Sequence, residues 1–166
     1  MLTPEQKAIL AGLFEEAIAE IRTRHVDAKQ KASGKTAASL AYEVTDSGGK
    51  ITGRGYFATL ETGRKPGATP KGFREIIKKW ATDKGIQIEP YKYKTDRPHK
   101  YTEQEAGLNR FAGAVAAKIR KQGTLLFREG GRKDIYTPAL DTLTEKISVS
   151  LLEGFSRLIV SDLKRL

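Results

Sequence analysis

The chain of 166 residues carries 30 Lys/Arg against 20 Asp/Glu, a formal net charge of +10, and contains no cysteine. Its length suits one domain with a sizeable core, and the missing cysteine excludes disulfides and thiolate metal ligands. No apolar run reaches the roughly 18 residues of a membrane helix, and no signal sequence follows Met1. We therefore expect the protein to stay in the cytoplasm where it is made.

The positive charge is concentrated in the middle of the chain. Residues 64–133 hold eighteen basic and seven acidic side chains, a net charge of +11. Residues 1–63 are neutral, and residues 134–166 sum to −1. This uneven distribution favours a positive face over a generally basic protein.

The chain begins with a predicted amphipathic helix. Thr3 is a suitable N-cap with Pro4 at the first helical position, and apolar residues then recur at helical spacing. The helix is expected to end between His25 and Lys29. The small polar residues of 29–38 predict an adaptable connection to the next element.

A β-hairpin is predicted next. Residues 40–45 alternate between apolar and polar side chains, residues 46–49 provide a turn, and a returning strand is expected over 51–57. The segment 57–61 could extend that strand or form a short helical turn.

Two further helices are predicted in the basic middle. The first begins at the Thr69–Pro70 pair and ends at Gly85, and the second runs from Thr102, in a capping box, to Gly123. Residues 86–101 between them have no helical period and predict an exposed, partner-ordered loop. The apolar face of the first of these helices is expected to comprise Phe73, Ile76, Ile77 and Trp80.

The last part of the chain predicts a short strand pair and a long helix. The strands are expected at 125–127 and 134–136, and the helix begins at Thr137–Pro138 and runs to the terminus. At 1.5 Å per residue this helix is about 40 Å long, more than one small core can cover. Part of it is therefore expected to pack on another subunit, through Leu151, Phe155, Leu158 and Ile159.

These elements predict an α+β fold. A small antiparallel sheet, made of the hairpin and returning strands, packs against the N-terminal helix, two central helices and the long C-terminal helix. The chain is expected to be one domain over residues 1–166, with an inserted basic helix–loop–helix region at about 64–133.

The sequence offers no recognisable catalytic or metal site. His25 and His99 are not spaced as a ligand set, and no nucleophile, phosphate-binding or dinucleotide motif is present. The acidic residues are scattered among lysines and arginines, as expected of solvated charges. We therefore predict a protein without enzymatic activity, metal or cofactor; a hydrolase with an unrecognised site is the weakest alternative.

Two interpretations of the positive face remain open. It is either a docking rim for acidic surfaces of neighbouring subunits or a surface that binds phosphates. The predicted basic surface comprises Arg64, Lys65, Lys71, Arg74, Lys78, Lys79, Lys118, Arg120 and Lys121. An adaptable contact loop, able to stack on single-stranded bases, comprises Tyr91, Lys92, Tyr93, Lys94, Arg97 and Tyr101. Docking is favoured because no recognised nucleic-acid module accompanies the charge.

Two short motifs and their order carry a family resemblance. The glycine-turned hairpin leads into Gly55–Arg64 (GYFATLETGR), and after an insertion Thr137–Leu140 (TPAL) opens the last helix. This order resembles tail-completion and head–tail joining proteins of tailed phages, the gp10-like family of HK97-type phages. The segment Phe73–Ile86 is similar to a helix–Trp–Lys-Gly-Ile insertion of phage versions. Where the family has Pro-Phe-aliphatic-x-Pro-Ala, this chain has Asp134–Ala139 (DIYTPA), and loop 86–101 has no counterpart.

The resemblance implies a structural virion subunit without catalysis. Such a protein would form a homo-oligomeric ring, a hexamer or dodecamer, at the neck or tail top of the virion. Its partners would be portal or adaptor and tail proteins, with non-specific proximity to packaged DNA and no membrane. It would be made in the host cytoplasm and reside in the virion. The alternative function is that of a basic nucleic-acid-binding protein.

Overall fold

The computed structural model describes residues 1–95 and 97–163, with side chains for 1–95 and 97–150. It has an α+β fold, as predicted from the sequence. The elements in chain order are α1 (Pro4–Asp27), α2 (Lys35–Ala38), β1 (Ala41–Thr45), β2 (Gly48–Thr52), α3 (Thr59–Thr62), α4 (Phe73–Asp83), α5 (Glu103–Gln122), α6 (Leu125–Arg128) and α7 (Thr137–Leu163). Within the described residues, no helix has both the length and the apolar character needed to cross a membrane.

The chain forms two compact units. Unit 1 contains Met1–Glu61 and the chain from Arg132 onward, and unit 2 contains Thr62–Gly131. Unit 2 starts and ends two residues before the insertion predicted at 64–133. The prediction of one domain with an insertion stays a prediction, and the two units are described in turn.

Helix α1 starts unit 1 with the predicted capping box. The Gln6 N–H donates to the Thr3 hydroxyl oxygen at 3.2 Å, and the Thr3 N–H donates to the Gln6 side chain at 2.8 Å. These two bonds satisfy N–H groups that have no partner within the helix. The helix ends at Asp27, inside the predicted range.

The connection after α1 is partly helical. Residues 35–38, predicted as adaptable, form α2, and Arg22 of α1 donates to the carbonyl oxygens of Ala37 and Leu40, each at 3.1 Å. These bonds hold the end of the connection to α1. The second half of the connection is therefore helical, and adaptable contacts of 29–38 with neighbouring subunits stay a prediction.

The hairpin is shorter than predicted. Strands β1 and β2 pair in antiparallel fashion with Tyr42 opposite Ile51, and β2 ends at Thr52 instead of continuing to Phe57. The strand ends because the chain turns there, with the Phe57 N–H donating to the Arg54 carbonyl at 2.8 Å. Residues 59–62 form the helical turn α3, so the helical alternative for this segment is confirmed.

The core of unit 1 lies between α1, the hairpin and α7. One cluster joins Ile18 and Ile21 of α1 to Leu40 and to Ala139 of α7, and a second joins Phe14 and Ala17 to Leu143. Helix α7 begins at Thr137, as predicted. The C-terminal packing residues proposed from the sequence, Leu151, Phe155, Leu158 and Ile159, lie outside the described side chains.

In unit 2, helix α4 starts later than predicted. Gly72, with φ +74°, immediately precedes it, and the Thr69–Pro70 pair lies in the turn before that glycine. The predicted end at Gly85 is confirmed by its left-handed conformation, φ +64°. The apolar face also differs, because Ile77 and Ala81 are buried whereas Ile76 and Trp80 are 53% and 40% exposed.

Helix α5 has both predicted ends. Thr102 and Glu105 form its capping box, and Gly123, with φ +78°, ends it. The strand predicted at 125–127 is wrong, since these residues belong to α6, which is capped by the Thr124 hydroxyl accepting from the Phe127 N–H at 3.3 Å. The partner strand predicted at 134–136 is also wrong, because two of its N–H groups bond to the side chain of Glu61 instead.

Candidate functional site

A buried carboxylate in unit 1 holds the start of the last helix. Glu61 is 3% exposed, and its Oε1 accepts hydrogen bonds from the N–H groups of Ile135 and Tyr136, each at 2.7 Å, and of Thr137 at 3.0 Å. Its Oε2 accepts a bond from the Thr137 hydroxyl. We call this arrangement of Glu61 with Ile135, Tyr136 and Thr137 the Glu61 clasp.

The clasp has a clear electrostatic basis. The Thr137 N–H is the first of α7 and, like the other N–H groups of a first turn, has no acceptor within the helix; those of Ile135 and Tyr136 lie just before it, and the helix dipole favours negative charge at this end. Burial by itself raises the pKa of Glu61, but the bonds from Thr137, Tyr136 and Ile135 outweigh it and hold the pKa below its ordinary value of 4.5. Glu61 is therefore an ionised group that caps α7 from a distant part of the chain.

The residues around the carboxylate reinforce the clasp. The Tyr136 hydroxyl donates to the Ala58 carbonyl at 3.2 Å, and the rings of Phe57 and Tyr136 lie 5.4 Å apart. The Arg132 N–H donates to the Glu61 carbonyl at 2.8 Å. Burial and the negative charge of Glu61 raise the pKa of Tyr136. Segments 57–61 and 132–137 thus bind each other through backbone, ring and carboxylate contacts.

Sequence reasoning missed Glu61. Acidic residues were expected to be solvated charges, and for this residue that expectation is wrong. Its partners are 74 to 76 positions away, so no local spacing connects them. The one local hint is that α7 has no acidic residue in its own first turn, which leaves room for a carboxylate from elsewhere.

The chain entering unit 2 pairs with the chain that follows α5. The Arg64 N–H donates to the Thr124 hydroxyl at 2.9 Å, and the Thr124 N–H donates to the Arg64 carbonyl at 2.9 Å. Gly63 has φ +66°, and a Cβ atom there would lie 2.4 Å from the Phe127 nitrogen. The Arg64 guanidinium lies over the Phe73 ring, 5.5 Å from its centre, so this residue also has a structural role.

The predicted basic residues do not share one face of α4. Arg74 and Lys78 are one turn apart on the same side, whereas Lys79 is rotated by about 100° from Lys78 around the helix axis. Lys78 pairs with Glu75 at 2.9 Å and Lys79 pairs with Asp83 at 3.0 Å. The other predicted members outside α4 are exposed, apart from the half-buried Arg64: Lys65, Lys71, Lys118, Arg120 and Lys121.

A groove beside α5 brings two arginines together. It is open, has a volume of about 610 Å³, and is lined by Arg74, Asn109, Arg110, Phe111, Gly113 and Ala114. The Arg74 guanidinium carbon lies 3.8 Å from the place where a Cβ atom of Gly113 would be. We call this the arginine groove. Arg110 was not among the residues predicted for the basic surface.

The aromatic residues of the 86–101 loop contact one another and Arg110. The Arg110 guanidinium lies 4.3 Å from the centre of the Tyr91 ring, and Tyr91 meets Tyr93 edge to face at 5.3 Å. Tyr93 stacks on His99 at 3.6 Å and donates its hydroxyl to the Tyr101 carbonyl at 3.0 Å. The rings predicted to stack on single-stranded bases therefore contact other side chains, and even at the more exposed Tyr101 the Lys100 ammonium lies 5.3 Å from the ring centre.

The same loop is anchored to the start of α5. The Tyr91 N–H donates to the Glu103 carbonyl at 2.8 Å, and the Tyr93 N–H donates to the Glu103 side chain at 3.3 Å. Gly107 allows a close approach, because a Cβ atom there would lie 2.4 Å from the Glu89 carbonyl oxygen. The loop thus has its own anchors within unit 2. Its exposed cations are Lys92, Lys94, Arg97 and Lys100.

Neither a metal centre nor a known relative helps to identify the protein. In the part of the chain that the structure describes, no three His, Asp or Glu side chains are grouped as metal ligands. No protein-family model, curated protein or solved structure matches the chain. Its function must therefore be inferred from its own motifs, contacts and charges.

Proposed function

We propose that the chain is a structural subunit of a tailed-phage virion, forming a ring at the head–tail joint that connects portal or adaptor to tail. The Glu61 clasp is the observation that supports this proposal most. Glu61 belongs to the first motif of the family resemblance, and Thr137 opens the second. Their direct contact makes the two motifs one structural element. Glu61 supplies the acceptor oxygens, and Thr137 supplies the N–H and hydroxyl donors.

The position of unit 2 in the chain also supports the proposal. The polypeptide leaves unit 1 at Glu61 and returns at Arg132, where the two backbones are joined by a 2.8 Å hydrogen bond. An insertion is tolerated best where its two ends meet at one place. Unit 1 therefore corresponds to the helix, hairpin and last helix of the resemblance, and unit 2 to the insertion.

The charge of unit 1 suits self-association. Unit 1 has fourteen Lys/Arg and thirteen Asp/Glu, a net charge of +1, whereas unit 2 has sixteen and seven, a net charge of +9. Copies of a nearly neutral unit can lie side by side with little electrostatic repulsion, and a ring requires such head-to-tail contacts. We assign the ring contacts to unit 1.

The oligomeric state of the purified chain tests the proposal. Negative-stain electron microscopy should show closed rings of one copy number, and light scattering should give six or twelve times 18.3 kDa. The Glu61→Ala variant should lose rings together with its helix contacts, and Glu43→Gln, at an exposed ion pair, should keep them. A chain that stays monomeric over a wide concentration range, alone and with portal and tail proteins, would refute it.

A further inference from the structure

Unit 2 has the charge of a module that binds a polyanion. Sixteen basic and seven acidic residues give its seventy residues a net charge of +9. The ion pairs Lys78–Glu75 and Lys79–Asp83 use two of those seven acids. The remaining excess lies on α5, on the 86–101 loop and before α4, which leaves a strong positive field for an outside partner.

The arginine groove concentrates that field. Arg74 and Arg110 line the same groove, and no carboxylate is among its lining residues. Two positive charges that line one groove, with no carboxylate beside them, favour an anion between them. Arg110 is held on the Tyr91 ring and Arg74 lies beside Gly113, so both planar guanidinium groups can donate hydrogen bonds to the oxygens of a phosphate in the groove.

A row of cations continues from the groove along α5. Arg110, Ala114, Lys118 and Lys121 follow at intervals of four, four and three residues, which places them on one face of the helix. At 1.5 Å per residue this row is about 16 Å long. Lys118 and Lys121 are exposed, and no carboxylate in the described part of the chain forms an ion pair with them. We call Arg110, Lys118 and Lys121 the α5 cation row.

We propose that the arginine groove and the α5 cation row bind the phosphate backbone of duplex nucleic acid without sequence preference. A phosphate chain matches a row of separated cations, because its charges repeat along its length. A duplex fits better than a single strand, since the rings of Tyr91, Tyr93 and His99 contact one another instead of offering open faces to bases. This activity belongs to unit 2 and does not require the ring proposed for unit 1.

Salt-dependent binding of a short random-sequence DNA duplex to the full chain tests the proposal. Fluorescence anisotropy should give a linear fall of log K with log salt concentration. The Arg74→Gln/Arg110→Gln variant should reduce the magnitude of that slope by about 1.8, at about 0.9 for each lost phosphate contact. If the two proteins have equal affinity at about 1 M salt, that difference corresponds to a loss of about two-hundredfold in affinity at roughly 50 mM salt.

Three matched variants separate the site from general charge. Lys118→Gln/Lys121→Gln removes two exposed charges of the same row and should reduce the slope equally. Lys31→Gln/Lys35→Gln makes the same change of charge on exposed residues of unit 1 and should leave the slope unchanged. Arg74→Lys/Arg110→Lys should retain the slope because it keeps both charges.

Four results would contradict binding of duplex nucleic acid at this site. Equal losses in all three glutamine variants would show that only net charge matters. Tighter binding of a single-stranded oligonucleotide than of the duplex would favour base stacking, and tighter binding of poly-glutamate than of DNA would favour an acidic protein partner. Absence of duplex binding at low salt would refute the site directly. Ring formation, measured on the same Arg74→Gln/Arg110→Gln protein, should persist, so the two proposals fail separately.

Discussion

Glu61 and Thr137 are bound to each other twice, through the backbone N–H and the side-chain hydroxyl of Thr137, although 76 positions separate them in the sequence. The contact fixes the first residue of α7 to helix α3. It also closes unit 1 at the point where the chain leaves for unit 2.

Removing the carboxylate should destabilise unit 1. Glu61→Ala leaves three backbone N–H groups and a hydroxyl without their acceptor, so the free energy of unfolding should fall by about 3 kcal/mol. Glu61→Gln keeps one carbonyl oxygen for the backbone donors and should cost about half as much. Chemical denaturation followed by circular dichroism measures both. The control Glu43→Gln, at an exposed ion pair, should change stability by no more than about 0.5 kcal/mol.

The contribution of Glu61 should depend on acid pH. Its pKa in the folded protein lies below the ordinary value of 4.5, so ionised Glu61 stabilises the fold above that pH. The stabilisation is lost as the pH falls through the lower pKa of the folded state, because the carboxylate must then take up a proton. The difference in unfolding free energy between wild type and Glu61→Gln should shrink below about pH 4.5.

Comparing wild type with Glu61→Gln separates the titration of Glu61 from that of Asp134. Arg132 also lowers the pKa of Asp134, but both proteins contain that pair, and its effect cancels. A difference that stays constant down to pH 3 would show that Glu61 is not the group that titrates.

Alanine substitutions at two glycines of α5 should change the stability of the protein in opposite directions. Gly107→Ala places a Cβ atom 2.4 Å from the Glu89 carbonyl oxygen and should push the 86–101 loop away from the helix. We expect a loss of about 2 kcal/mol and faster proteolysis within the loop. Gly113→Ala meets only ordinary contacts at 3.8 Å and should stabilise by up to about 1 kcal/mol. Equal proteolysis rates for the two variants would contradict the anchoring of the loop through Gly107.

Unit 1 should fold without unit 2. The Glu61 carbonyl and the Arg132 N–H are 2.8 Å apart, so a linker of about four glycine and serine residues can replace Thr62–Gly131. The shortened chain should be soluble and helical and should unfold in one cooperative transition. Adding Glu61→Ala to the shortened chain should abolish that transition or shift it to lower denaturant. An insoluble or unstructured shortened chain would contradict the assignment of unit 2 as an insertion.

The sequence predicts best what short-range chemistry determines. Thr3 with Gln6 and Thr102 with Glu105 form both expected capping boxes, and Gly85 ends α4 as expected. In each case all partners lie within a few residues. The apolar run after Thr124 is short enough for either a strand or a helix, so its length does not distinguish the two. The Thr124 cap stabilises the helix.

Long-range contacts account for most of what the sequence does not predict. The burial of Glu61 depends on N–H groups supplied by Ile135 to Thr137, and the burial pattern of α4 depends on α5, against which it packs. Arg110 was missed because its role depends on the loop ring of Tyr91 and on Arg74 of another helix. The excess of positive charge follows from the composition alone. The alignment of its cations along one face of α5 depends on where that helix begins and ends.

The mass of single particles, compared between the full chain and the chain lacking Thr62–Gly131, tests the central claim most directly. If unit 1 forms a ring, both proteins should give closed particles of the same copy number, six or twelve. Their masses should differ only by the deleted residues. A full chain found only at 18.3 kDa would contradict the ring, and a folded shortened chain that stays monomeric beside an assembling full chain would contradict its assignment to unit 1.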